Sequence, residues 1–291
     1  MIPFAKGHGL GNDYLVVDEG DLKGRTLSVP AIVKICDRNW GVGSDGILLF
    51  HRSTRADFGV RIFNPDGSEA EKSGNGLRIF AKYLWDHGHA KSPTFTVETL
   101  GGIVECQCAV REGHVNFVTV EMGRATFRAP EIPMTGPDRQ VVDEPLRLPD
   151  GTEVRATVVS VGNPHCVVFV DRLDDGETRR LGPLIETHAA FPNRTNVQFA
   201  RALGRDAIEI RIWERGAGFT LASGSSSCGA ASAAVRTGRC EHGRVTVTMP
   251  GGELAIHVRP DWSLRLEGPV EEVCTGTLTR EFFEAYVAPR G

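Results

Sequence analysis

The apolar positions follow two patterns that occur in the same order twice along the chain. Short runs dense in β-branched and aromatic residues come first: Val60-Arg61-Ile62-Phe63 in one half, Ile208-Glu209-Ile210-Arg211-Ile212-Trp213 in the other. This composition predicts strands. Each run ends in a glycine-containing turn, and a Ser-Gly step follows. The spacing then becomes helical. Leu77, Phe80, Ala81 and Leu84 stand at i, i+3, i+4 and i+7, predicting a helix over about residues 75–87. A second helix is predicted over about residues 226–237, ending at Gly238. It is rich in alanine with little polar character, so burial on all sides is expected. After each helix comes a strand–Gly-Gly–strand pattern, FTVETLGGIVECQ and VTVTMPGGELAIHV, which predicts a hairpin.

These matches share one register, an offset of 150 residues. Arg61-Ile62-Phe63-Asn64 falls on Arg211-Ile212-Trp213-Glu214 and Ser73-Gly74 on Ser223-Gly224. Ala81 then meets Ala231, Gly88 meets Gly238, Thr96-Val97 meets Thr246-Val247, and Gly101-Gly102 meets Gly251-Gly252. Upstream, Gly11-Asn12 followed by LVVD echoes Gly162-Asn163 followed by VVFVD. A unit of this size occurring twice predicts two similar domains rather than a solenoid. The expected division is residues 1–125 plus 275–291 against residues 126–274. The segment 128–151 carries five prolines and many charges, and reads as the connection between the halves.

Composition narrows the function classes. Of 291 residues, 41% are hydrophobic and 24% charged, ordinary for a soluble globular protein. The 34 glycines imply many tight turns and close backbone approaches. A net charge of −4 is a poor match to a nucleic-acid binder. No apolar run approaches membrane-spanning length, so no membrane partner is expected. The N-terminus lacks the pattern of a secretion signal. Seven cysteines at irregular spacing, with no CxxC, suggest small buried hydrophobes in a reducing cytoplasm. Cys106-x-Cys108 reads as alternation on one face of a strand. The nine histidines form no HExxH cluster, so no metal is expected. Gly7-His8-Gly9-Leu10-Gly11 lacks the GxGxxG spacing of a nucleotide loop, and no lysine stands in a recognisable Schiff-base context.

The candidate chemistry lies where the two predicted helices begin. Ser73-Gly74-Asn75-Gly76 and Ser223-Gly224-Ser225-Ser226 each open a helix, whose exposed N–H groups and dipole favour an anion. Taken singly, each serine reads as an N-cap. Taken as a pair related by the repeat, two helix N-termini can clamp one carboxylate from both sides. A side chain from each half then meets opposite faces of one carbon. That geometry suits removal of a proton from one face and its return to the other.

The chain resembles the diaminopimelate epimerase family, cofactor-independent amino-acid epimerases. The matching segments are FAKGHGLGNDYLVVD, NWGVGSDGILLF, RIFNPDGSEAEKSGNG, VSVGNPHCVVFVD, RTNVQF and ERGAGFTLASGSSSCGAA, spread from residue 4 to about residue 234. The resemblance implies an α/β (α+β) fold of two pseudo-symmetric domains. Each would be a curved sheet or barrel around a central helix, with the active site in the inter-domain cleft. It implies an isomerase that interconverts LL- and meso-diaminopimelate, a precursor of lysine and the cell wall, without pyridoxal phosphate (PLP) or another cofactor. The partner is then a small amino-acid substrate, and family members commonly form homodimers. By resemblance, Asn64, Asn163, Asn196 and Arg215 bind the distal carboxylate, and Glu214 with nearby carbonyls the distal ammonium. Asn12 lines the same site. The reacting carboxylate sits on the amides of Gly74, Asn75, Gly224 and Ser225.

The chain departs from the family where the chemistry is centred. The family places a cysteine at the start of each helix as the acid–base pair, and here both are serine, Ser73 and Ser223. A thiol has a reference pKa of about 8.5 and a helix N-terminus can lower it. A serine hydroxyl is a far weaker acid and needs an adjacent base. The assisting groups of the family, His165 and Glu214, are present. They are expected to polarise the hydroxyls or to act as the effective bases. Phe219 stands where GAGET would place glutamate, and Ser226-Ser227 where smaller residues are usual. On sequence alone three readings of the serine pair stay open. They are an engineered Cys-to-Ser variant, a paralogue with a changed substrate or reaction, and a protein that binds an amino acid without turning it over.

Overall fold

Both predicted helices form, and each begins a residue or two earlier than the apolar spacing indicates. The computed structural model describes residues 1–286; the end of the tail assigned above to the first half, residues 287–291, lies outside the described residues. The helices span Gly74–Asp86 and Gly224–Arg236, equal in length and offset by 150. Their starts are set by caps: Ser73 and Ser223 are extended, and their hydroxyls accept from the N–H of Gly76 and Ser226. Their ends coincide with Gly88 and Gly238, at φ 75° and 72°, where glycine takes a left-handed turn without a Cβ penalty.

The chain divides into two compact units, Met1–Val120 with Gly268–Gly291, and Glu121–Glu267. In the first, β1 (Ile2–Gly9) and β2 (Asn12–Asp18) form a hairpin. Helix α1 (Val29–Cys36) leads to β3 (Ile47–His51), parallel to β2. Then β4 (Phe58–Phe63) and short β5 (Glu69–Ala70) precede α2 (Gly74–Asp86). The strand β6 (Thr94–Thr99) runs parallel to β4, followed by β7 (Gly102–Arg111) and β8 (His114–Arg124) in antiparallel succession. The second unit repeats the order. After β9 (Glu144–Arg147), β10 (Glu153–Ser160) pairs antiparallel with β11 (Pro164–Phe169). Helix α3 (Asp175–Glu186) leads to β12 (Asn196–Ala202), parallel to β11, then β13 (Ala207–Glu214) and short β14 (Gly218–Thr220). Helix α4 (Gly224–Arg236) is followed by β15 (Gly243–Met249), parallel to β13, then by β16 (Gly252–Val258) and β17 (Ser263–Pro269). The chain returns to the first unit with β18 (Glu271–Leu278), antiparallel to β1, and a last helix, Arg280–Tyr286.

Each unit covers both faces of its sheet. In the first, Leu15, Val17, Ile47 and Leu49 pack with Ala31, Ile32 and Ile35 of α1, while α2 lies against β1, β2 and β7. In the second, Val158, Cys166, Val168 and Phe199 pack with Leu181 and Ile185 of α3, while α4 lies against β10 to β13 and β16. Burial of both faces explains why VVD and VVFVD are continuous apolar runs rather than alternating ones. Helix α4 is buried from Ser226 to Val235, as its alanine-rich sequence predicts. Six cysteines are buried, Cys106 and Cys108 among them on β7, and Cys274 is exposed.

The segment 128–151 is not a connection. It belongs to the second unit, where β9 pairs with β10 and Ala129, Ile132, Val141, Leu146 and Leu148 join the core. Its prolines and charges lie between these apolar anchors, so average composition resembled a linker while single positions specified packing.

Gly182 in α3 shows how closely the second unit is packed. A Cβ there would stand 2.5 Å from Trp213 Cγ. Gly182→Ala, ordinarily favourable in a helix, is expected to cost about 1–2 kcal/mol through overpacking, read from the midpoint of urea denaturation.

Candidate active site

In the first unit the site is built from the start of α2 and the β1–β2 hairpin. Ser73 Oγ accepts from Gly76 N–H at 3.0 Å and lies 3.4 Å from the Tyr14 hydroxyl. Helix geometry leaves the N–H groups of Gly74 and Asn75 without an intrahelical acceptor, and so available to an anion. Asn75 donates through Nδ2 to Asn12 Oδ1 at 3.0 Å, and Asn12 donates to Asp45 Oδ2 at 2.8 Å. Arg38 bridges Asp45 and Asp13, and Lys6 pairs with Asp13 at 2.9 Å. Desolvation opposes ionisation of Asp13, but Arg38 and Lys6 overcome it and hold its pKa below the usual carboxylate value. The network therefore fixes which way the Asn12 amide faces. Asn64, expected in the same set, is not joined to it: its amide donates to Ser68 Oγ at 2.9 Å within its own turn.

In the second unit Ser223 caps α4 and is 6% exposed. The Glu214 carboxylate, at the end of β13, lies within electrostatic reach of this hydroxyl. Desolvation raises the Glu214 pKa, and the Ser223 hydroxyl only partly offsets it. A carboxylate tuned upward beside a hydroxyl is able to take up that hydroxyl's proton. As in the first unit, the N–H groups of Gly224 and Ser225 open the helix without intrahelical acceptors. Ser227 is absorbed structurally, donating to the Ser223 carbonyl at 2.8 Å.

His165 is completely buried on β11, and both ring nitrogens are engaged. Nε2 stands 2.8 Å from Asn163 Oδ1, an acceptor, and Nδ1 stands 3.1 Å from Gln198 Nε2, a donor. These partners select the Nε2–H tautomer. Gln198 spends its second hydrogen on Ser226 Oγ at 3.0 Å. Desolvation, with the Arg215 charge second, pulls the His165 pKa down to about 3, so the ring is neutral. In this arrangement Ser223 has Glu214 as its titratable neighbour, and His165 orders the wall behind α4.

The turn after Glu214 is held by two groups. Asn196 Oδ1 accepts from Arg215 N–H at 3.0 Å, leaving the Arg215 side chain exposed at the turn. Glu186, buried at the end of α3, accepts from Gly216 N–H at 2.9 Å and from Trp213 Nε1 at 2.8 Å. Phe219 lies opposite Trp213 on β14, with the Arg179 guanidinium 4.0 Å above its ring. The aromatic replacement thus fastens β14 to α3. Glu186, Gln198 and Asp45 were missed by sequence reasoning because each acts through another residue and is distant from it in the chain. Removing the Glu186 carboxylate by Glu186→Ala is expected to raise KM more than it lowers kcat, since it loosens the turn carrying Arg215; steady-state kinetics separate the two.

Among the described residues no helix is long and apolar enough to cross a membrane, and no group of three or more His, Cys, Asp or Glu is placed to hold a metal.

Comparison with known proteins agrees with this architecture. A family profile described as diaminopimelate epimerase matches residues 4–128 and 157–273. Diaminopimelate epimerase 2 of Nostoc sp. is 48% identical over 281 residues, covering 96% of this chain and 96% of its own. Diaminopimelate epimerase of Pelotomaculum thermopropionicum is 47% identical, covering 94% of this chain and 97% of its own. Two solved structures share the fold. A hydroxyproline epimerase from Agrobacterium vitis has a TM-score of 0.67 at 16% identity, over 95% of this chain and 90% of its own. A Bacillus anthracis phenazine biosynthesis protein of the PhzF family has a TM-score of 0.69 at 18% identity, over 96% and 99%. The fold is mixed α/β, dominated by sheet and divided in two. With nearly full-length matches at this identity, the chain belongs to the diaminopimelate epimerase family, a family of PLP-independent isomerases.

Proposed function

We propose that this protein interconverts LL- and meso-diaminopimelate by moving one proton at each of two serines, without PLP. The observation that carries the reading is Ser223 capping the N-terminus of α4, with the Glu214 carboxylate from the end of β13 in its electrostatic reach. Glu214 accepts the Ser223 hydroxyl proton as Ser223 Oγ removes the α-hydrogen. The α-carboxylate rests on the N–H groups of Gly74, Asn75, Gly224 and Ser225, where helix dipoles stabilise the negative charge that develops. Ser73 returns a proton to the opposite face. Asn64, Asn163, Asn196 and Arg215 hold the distal carboxylate, Arg215 supplying the charge-assisted contact and Asn64 the amide hydrogen that its bond to Ser68 leaves over; Asp45 fixes the direction of the Asn12 amide. The buried free thiols support a reducing compartment, the cytoplasm.

The test is chiral chromatography of LL-diaminopimelate incubated with the purified protein. Appearance of the meso form, unaffected by hydroxylamine, is the expected result. No conversion, or conversion abolished by that carbonyl reagent, contradicts the reading.

A further inference from the structure

Each unit presents its capping serine with a different titratable partner. In the second unit it is Glu214, from the end of β13. The residue 150 positions earlier is Asn64, whose amide donates one hydrogen to Ser68 and carries no proton that ionises near neutral pH. The carboxylate of the second unit therefore has no counterpart in the first. The first unit offers Tyr14 instead. Its side chain is buried at 6% exposure, and its hydroxyl lies 3.4 Å from Ser73 Oγ.

The internal repeat marks the same position independently. Gly11-Asn12 matches Gly162-Asn163, both glycines have positive φ (83° and 104°), and in that register Tyr14 falls on His165. Each residue lies on the second strand of its hairpin. Leu15 and Val17 pack on the α1 side and Cys166 and Val168 on the α3 side, so alternation turns Tyr14 and His165 toward α2 and α4. His165 spends both nitrogens on Asn163 and Gln198, whereas Tyr14 reaches the serine. The chain makes room for this ring: a Cβ at Gly46 would stand 2.6 Å from Tyr14 Cε1 and 2.3 Å from the Phe63 carbonyl oxygen.

We propose that Tyr14 is the positioning and proton-relay residue of the first unit, acting through Ser73. This rests on the epimerase reading above. A phenol, with a reference pKa of about 10, is a far stronger acid than an aliphatic hydroxyl. As the Ser73 O–H bond breaks and its proton passes to the α-carbon, the Tyr14 O–H proton moves to Ser73 Oγ. The phenolate left behind balances the carboxyl formed at Glu214, which took up the proton from the other face. The reverse reaction retraces both transfers.

The test compares four proteins: the native chain, Tyr14→Phe, Ser73→Cys, and the two changes combined. Conversion of LL-diaminopimelate is followed alongside a thermal melt. Tyr14→Phe is expected to lower kcat at least tenfold, with KM within twofold. In the Ser73→Cys background, where the thiol supplies its own proton, the same change is expected to cost less than threefold. Equal losses in the two backgrounds, or no loss in the native one, overturn the relay. If Ser73→Cys is inactive, Tyr14→His decides: recovery above Tyr14→Phe supports the relay, and no recovery overturns it. Absence of conversion by the native chain is the failure of the epimerase reading, and the relay falls with it.

Discussion

Replacing Glu214 by glutamine is expected to reduce kcat by about 10³-fold, within the range a positioned general base contributes. The amide is nearly isosteric and leaves the Ser223 cap in place, so the start of α4 and the melting temperature should change little. What it cannot do is accept the hydroxyl proton, and without that acceptor Ser223 is too weak an acid–base group to act. The native pH profile should show the same group. Burial raises the Glu214 pKa above the ordinary glutamate value of 4.5, and the base works only when ionised. Activity should therefore rise with pH through a limb above 4.5 and fall as the group is protonated. Glu214→Asp keeps a carboxylate one methylene short, and should retain more activity than Glu214→Gln. Equal activity in the native and Glu214→Gln proteins would remove Glu214 from the mechanism.

His165 predicts a second large effect, on stability rather than rate. Its pKa falls from 6.5 to about 3 in the folded protein because the buried site disfavours the charged ring. Below pH 6.5 the unfolded chain binds a proton that the folded one refuses, so stability falls as pH falls and is fully present only above 6.5. At 1.36 kcal/mol per pH unit, the loss attributable to this ring between pH 7.5 and pH 4 is about 3 kcal/mol. Urea denaturation at the two pH values measures the total. Subtracting the same difference for His165→Gln isolates the ring from the carboxylates that titrate alongside it. If both proteins lose the same stability, the ring does not stay neutral.

Much of this was legible in the chain because the repeat is carried by residues whose geometry leaves few alternatives. Ser73 and Ser223 both proved to be N-caps, the ordinary reading of each serine. The 150-residue offset between them survives as two equal helices. Helix starts were misplaced because apolar spacing records where a helix is packed, while the cap decides where it begins. The segment 128–151 misled because prolines and charges outnumber the five side chains that anchor it in the core. The candidate site is readable in the chain where groups stand side by side, as in Glu214-Arg215. It was not legible where a contact crosses many residues, as from Glu186 to Gly216 or from Tyr14 to Ser73. The environment of His165 was not legible either, since two amides, Asn163 two residues away and Gln198 on another strand, decide its tautomer.

Two serines, each with a titratable neighbour, are proposed to move the α-proton of diaminopimelate. Deuterium uptake tests this most directly. The native protein is incubated in D₂O with LL- and with meso-diaminopimelate, and the α-proton signal is followed by NMR beside the Ser73→Cys/Ser223→Cys double variant. The native serine protein should lose the α-proton signal, and the thiol variant should lose it faster. Exchange by the thiol variant alone would contradict the proposal, since the site would then hold this substrate while the serines do no chemistry.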